Sequence, residues 1–190
     1  MYYVLERGIQ PGRWIGHSPF IKGVKWRAGV KITHALPDRL EFTLKPFDPD
    51  SSDHAPYMPA YLKASPPLFR DDLLEAMREC GVENLDLYDV VIRDPDNDHV
   101  HTNYKAVNII GLIAAADMLR SDAIVHPGSP PLIDVDFDRL VLDETTTHGA
   151  LIFRLAESTN AILVHPKLRD FLLGRGFTDL AFYTPDEVAL

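Results

Sequence analysis

Asp94, Asp96 and Asp98 alternate in the run DPDNDHVH. D-x-D-x-D is how a calcium-binding loop opens, because alternating carboxylates converge on a hard cation. The rest of such a loop is absent. The sixth position, where glycine makes the sharp turn, is His99, and the twelfth, where a bidentate acid closes the cage, is Lys105. His99 and His101 share one face of an extended chain beside Asp98, a pairing that suits zinc or another transition metal. A third ligand is not evident, and a hairpin tip does not exclude water. Turn chemistry alone also selects Asp and Asn at such a tip. A second triplet, Asp134, Asp136 and Asp138 in DVDFD, falls on one face if extended. Carboxylates so placed must be solvated, metal-bound or met by cations. Both triplets are therefore candidate contacts for a basic partner, and the segment from Asp94 to His101 is alternatively a candidate metal site.

Other catalytic signatures fail on spacing. Gly174-Arg175-Gly176 looks like the start of a dinucleotide loop, but the third glycine is missing and the order is helix then strand. A phosphate needs the amide-bearing start of a helix, so the glycines are expected to stop one instead. No nucleophile elbow, phosphate-binding Gly-x-x-x-x-Gly-Lys or His-Glu-x-x-His occurs. Cys80 ends an amphipathic pattern on its apolar face, where a thiol is expected to be buried and inert. His165 and the 144–148 loop make no triad that spacing supports. No catalytic residue, cofactor or metal is assigned.

The chain has 190 residues and a net charge of −9. That length supports one domain over 1–190, with an alternative division into a strand-rich N-terminal lobe, 1–62, and a C-terminal lobe, 63–190. A negative balance argues against broad nucleic-acid binding and permits long-range attraction of a basic protein. The single cysteine excludes an intrachain disulfide. No apolar run is long enough to span a membrane, and MYYVLERGIQPGRW does not read as a signal peptide, so the expected compartment is the cytoplasm.

The elements that must position these residues read as α+β, mostly antiparallel strands with a few flanking helices. Tyr2 to Leu5 is expected as an edge strand. Val30 and Ile32, then Leu40, Phe42 and Leu44, alternate with polar residues at strand period, with a turn at Pro37-Asp38. A proline-rich loop covers 46–67. Ser65 is placed to cap a helix through Cys80, with Pro66 and Pro67 in its first turn and Gly81 as its stop. Residues 85–93 read as a strand, DPDND as a turn, and 100–110 as the returning strand. A short helix at 114–120, a loop at 126–131 and strands near 139–142 and 150–155 follow, the last two joined through 144–149. Then come an apolar run at 161–164, a helix from Pro166 to Arg175 and a strand at 180–183.

A weak repeat runs through this order. Leu73 and Leu168, Gly81 and Gly176, Leu85 and Leu180, and Tyr88 and Tyr183 are each 95 residues apart. Met77 and Leu172 correspond likewise, as do Leu87 and Phe182. Each unit reads helix, glycine, strand. Any helix ending in glycine before a strand would match comparably, so structural equivalence is the expectation rather than common ancestry.

The segments PPLFRDDLLEAMRECGVENLDLYDVVI, KAVNIIGLIAAADML and ALIFRLAESTNAILVHPKLRDFLLGRGFTDLAFYTP resemble immunity family eleven of bacterial polymorphic toxin systems. The shared pattern is a strand ending Ile-Phe-Arg-Leu (152–155), an apolar run, a helix, a glycine and a strand closing at Phe182 to Pro185. Gly12-Arg13-Trp14 fits more loosely. The resemblance covers about 60–187, and the chain departs from it at His165, where the family often has serine or another good cap. It implies a cytoplasmic, non-catalytic protein that binds and neutralises a cognate toxin. The alternatives are a small metal-dependent enzyme using the Asp94 to His101 cluster and a non-catalytic secretion-system accessory protein.

Overall fold

The computed structural model describes residues 1–126 and 134–190, and Asp134 by its backbone alone. The strands are β1 (Tyr3–Arg7), β2 (Ile15–His17), β3 (Leu40–Leu44), β4 (Tyr61–Leu62) and β5 (Leu68–Arg70), before helix α1 (Asp71–Cys80). Then come β6 (Leu85–Arg93), β7 (Val100–His101), β8 (Tyr104–Ile109), β9 (Leu112–Ile113), β10 (Asp122–His126) and β11 (Asp134–Arg139). The chain ends with β12 (Ile152–Leu155), β13 (Ile162–Val164), helix α2 (Pro166–Gly174) and β14 (Leu180–Tyr183). This is an α+β fold. One sheet runs β2-β3-β6-β8-β5-β4, with β7 beside β6, and a second runs β14-β1-β13-β12-β9. β10 and β11 form a separate hairpin. Strands from 1–62 contribute to both large sheets.

The repeat in the sequence is a repeat in topology. β5, α1 and β6 form a strand-helix-strand crossover whose two strands flank β8, with β4 outside β5. β13, α2 and β14 do the same around β1, with β12 outside β13. Every pairing within the two four-stranded sets is antiparallel. Register agrees to the residue. Leu68 and Tyr88 both stand opposite Ala106, and their counterparts 95 residues on, Leu163 and Tyr183, both stand opposite Val4. The central strand is the one part out of order, because the second unit takes it from the start of the chain.

The helices agree equally closely. Arg70 and His165, 95 residues apart, are both extended N-caps. Gly81 and Gly176 both hold left-handed backbone, with φ of 105° and 89°. At each end the glycine amide and the next one turn back onto the helix. Gly81 N–H donates to Arg78 O and Val82 N–H to Met77 O, both at 3.0 Å; Gly176 N–H donates to Leu173 O at 3.0 Å and Phe177 N–H to Leu172 O at 3.2 Å. These bonds satisfy carbonyls the helix would leave unpaired, and the conformation suits a residue without Cβ. Leu73, Met77, Leu168 and Leu172 are buried in one shared cluster with Phe69, Val107, Val164 and Leu180. Burial of this apolar surface is the main force joining the units.

The outer sheet faces are covered differently. The second sheet turns Tyr2, Val4, Phe153 and Leu163 toward Val135 and Phe137 of the β10–β11 hairpin. The first turns Leu40, Phe42, Val90, Ile92 and Tyr104 toward Trp26 and its irregular segment.

Several expected elements are corrected, among them the strand near 139–142, since β11 ends at Arg139 and Leu142 holds only an isolated bridge. Tyr2 to Leu5 is not an edge, since β1 lies between β13 and β14. α1 begins at Asp71 rather than after Ser65, because 68–70 pair with β8 and backbone committed to that ladder cannot start a helix. Val30 and Ile32 lie in irregular chain, and 114–120 carries a single bridge, Ala116 to Leu142, and a turn. Of the loop expected at 126–131, His126 ends β10 and the remainder lies outside the described residues.

A candidate partner-binding surface

The two acidic triplets meet different fates. Asp94 is only 7% exposed and accepts from Arg13 Nη2 at 2.9 Å. The same nitrogen lies 2.7 Å from Asp96 Oδ2, which also accepts from the Phe47 amide at 2.9 Å. Arg13 is itself buried and donates to Lys45 O at 3.1 Å. One guanidinium thus fastens the turn after β6 to the β2–β3 region. Arg13, first among several donors, holds the Asp96 carboxyl below the usual carboxylate range. Asp94 and Asp96 are therefore fastenings, and Asp94 is not a solvent-facing contact as the alternation suggested. Asp98 is exposed with φ of 56° and serves the turn.

His99 and His101 do stand together, with ring centroids 4.5 Å apart and edge to face. Burial first and the neighbouring His99 second push the His101 imidazole below its ordinary value. Among the described residues no three His, Cys, Asp or Glu side chains are grouped to hold a metal ion. Cys80 is buried, with Sγ 3.9 Å from Lys167 O.

The second triplet lies on a hairpin with an outward face. Val135 and Phe137 of β11 point into the core, so the alternate residues Asp136 and Asp138 point out and are exposed. Ile124 stands opposite Asp136 on this face and is 57% exposed; Val125, opposite Val135 on the other face, is 56% exposed. The turn leading into β10 leaves Met118 and Leu119 exposed too. A hydrogen bond between His126 Nε2 and Asp136 Oδ2 at 2.6 Å and an ion pair between Arg139 Nε and Asp122 Oδ2 at 3.0 Å border this apolar group. Asp138 has no cation within pairing distance among the described residues. Among the described residues β10 pairs with β11 alone, so its other edge offers unpaired backbone groups. Apolar side chains, uncompensated acid and an open strand edge thus coincide.

Three structural residues escaped the sequence reading. Arg13 stood in Gly-Arg-Trp without a role. Asp179, buried, accepts from the Ala60 amide at 2.6 Å and from Tyr57 Oη at 2.9 Å, tying a loop to the start of β14. Arg154 is a buried cation within β12, and its one available signal was an arginine inside the apolar run ALIFRLA. His165 caps α2 through Nδ1, which accepts from the Lys167 amide at 3.1 Å. No family model matches the chain, and no curated protein matches it.

Proposed function

We propose that the chain is an immunity protein, a non-enzymatic binder that neutralises a cognate bacterial toxin by covering it. The observation that carries this reading is the outward face of the β10–β11 hairpin, where Ile124 is exposed beside Asp136 and Asp138. An apolar centre bordered by charge suits a protein surface better than solvent. The net charge of −9 favours a basic toxin, and the resemblance to immunity family eleven points the same way. No helix among the described residues is long and apolar enough to cross a membrane, and the proposed place of action is the cytoplasm.

Residues around the hairpin would form the centre of an interface of about 1,600 Å² in total. Coexpression with the toxin-like product of the neighbouring gene tests the proposal. The protein restores growth and co-purifies with that product. Asn at 136 and 138 slows association at low salt and changes it little at high salt, because the acids act through long-range attraction. Failure to co-purify, with growth unrestored, removes the reading. Heat released on titration with calcium, zinc or manganese would instead favour the metal-dependent alternative at Asp94 to His101.

A further inference from the structure

An opening lies where the two units meet, and the repeat lines it twice. It is a cavity of about 540 Å³. Ser65 and Asn160, and Pro67 and Ile162, are residues 95 apart, and all four form its wall. Lys63 and Arg154 form a third pair, since the pairings of β4 with β5 and of β12 with β13 make Tyr61 the counterpart of Ile152 and place these cations next but one along each strand.

Its charge is opposite to that of the protein. Arg27, Lys63 and Arg154 face it against one side-chain carboxylate, Glu6. Glu6 is taken by Lys63, whose Nζ lies 2.7 Å from both its oxygens. Arg154 is 3% exposed and donates from Nη1 to Thr159 O at 2.8 Å, while its Nε has no partner. Neither Arg154 nor Arg27 has a carboxylate within 4 Å among the described residues. Burial, partly offset by Tyr61 and reinforced by the nearby Arg27 charge, lowers the Arg154 guanidinium to about 10. A buried cation without a counter-ion is costly to hold, and a removable anion is a direct compensation.

We propose that this cavity binds a small organic anion, a phosphate monoester or a carboxylate, whose charged group lies between Arg154 and Arg27. A guanidinium fork matches the oxygens of either group. The volume falls in the range of small-molecule sites, and Pro67, Tyr61 and Ile162 supply an apolar wall for the rest of the ligand. The site is independent of the hairpin surface, so its fate does not decide that of the toxin-binding reading.

The test is thermal unfolding and titration calorimetry with inorganic phosphate, glycerol 3-phosphate and succinate, against sodium chloride of matched ionic strength. Saturable stabilisation by at least one probe is expected, and which probe binds tighter assigns phosphate or carboxylate. R27E alters an exposed side chain and keeps the fold, read by circular dichroism; it weakens that binding roughly tenfold or more. R154M removes the binding, and R27E supplies the answer if R154M does not fold. No saturable effect beyond the chloride control, or equal binding by wild type and R27E, overturns the proposal.

Discussion

The two units share pairing, register and helix ends but differ in what surrounds them. In the first, β6 runs on past the shared frame, takes β3 and β7 as neighbours, and is fastened by Arg13 to Asp94 and Asp96. In the second, β14 ends the sheet and the outer face is covered by a hairpin whose far side is exposed. What repeats is scaffold; what does not repeat carries the charge and exposed apolar groups that could recognise a partner. The cavity is the exception, because repeated positions make it and unrepeated Arg27 completes its charge.

Truncating the equivalent core residues tests the comparison with the largest effect. Met77→Ala and Leu172→Ala each lose about 2–5 kcal/mol in denaturant unfolding, because both side chains are fully buried in one cluster. Losses differing by more than about 2 kcal/mol would break the equivalence of the units. Asp179→Ala loses about 1–3 kcal/mol by leaving the Ala60 amide unpaired; its counterpart 95 residues earlier, Asn84, makes different bonds, donating to Ile110 O at 2.7 Å and Ile152 O at 2.9 Å.

Valine at Gly81 or Gly176 is the next test. A Cβ at Gly176 meets nothing within 4 Å, and one at Gly81 meets only Leu151 Cδ1 at 3.7 Å, so the loss is backbone strain, about 1–2 kcal/mol at each. Equal losses sharpen the comparison. His165→Ala loses about 0.5–1 kcal/mol by removing the α2 cap. Arg70 caps α1 with no side-chain bond of this kind and pairs with Asp72 at 2.8 Å instead.

Acid supplies a smaller test. The Asp72 carboxyl is lowered chiefly by Arg70 and that of Asp96 chiefly by Arg13. A carboxylate lowered on folding adds stability that is full above its unfolded value, near 3.8, and is lost as pH falls through the lower folded value. Unfolding followed below about pH 4 should therefore show stability falling, less steeply in D72N and D96N. Asn at 136 and 138 should change stability least, within about 0.5 kcal/mol, since both side chains face solvent.

Local signals made much of the scaffold legible. The burial period of Leu73, Met77 and Cys80 and the glycines after each helix marked α1, α2 and their ends, and alternation marked β3 and β6. What escaped depends on contacts distant in sequence. β1 is central because its partners lie more than 150 residues away, at Leu163 and Tyr183. Residues 68–70 are strand because β8 claims their hydrogen bonds. In the candidate sites, alternation placed Asp136 and Asp138 outward, but it could not show that Arg13, some 80 residues upstream, turns Asp94 inward. Arg154 looked like part of a strand motif until Lys63 and Arg27 were brought beside it.

Replacing Ile124 and Asp136 together by lysine, on the face that does not repeat, tests the central claim most directly. Wild type and variant are coexpressed with the product of the neighbouring gene, and growth and co-purification are measured. Wild type restores growth and brings that product down with it, while the double-lysine variant, folded by circular dichroism, does neither. Equal rescue and equal co-purification by the variant would contradict the assignment of binding to the hairpin.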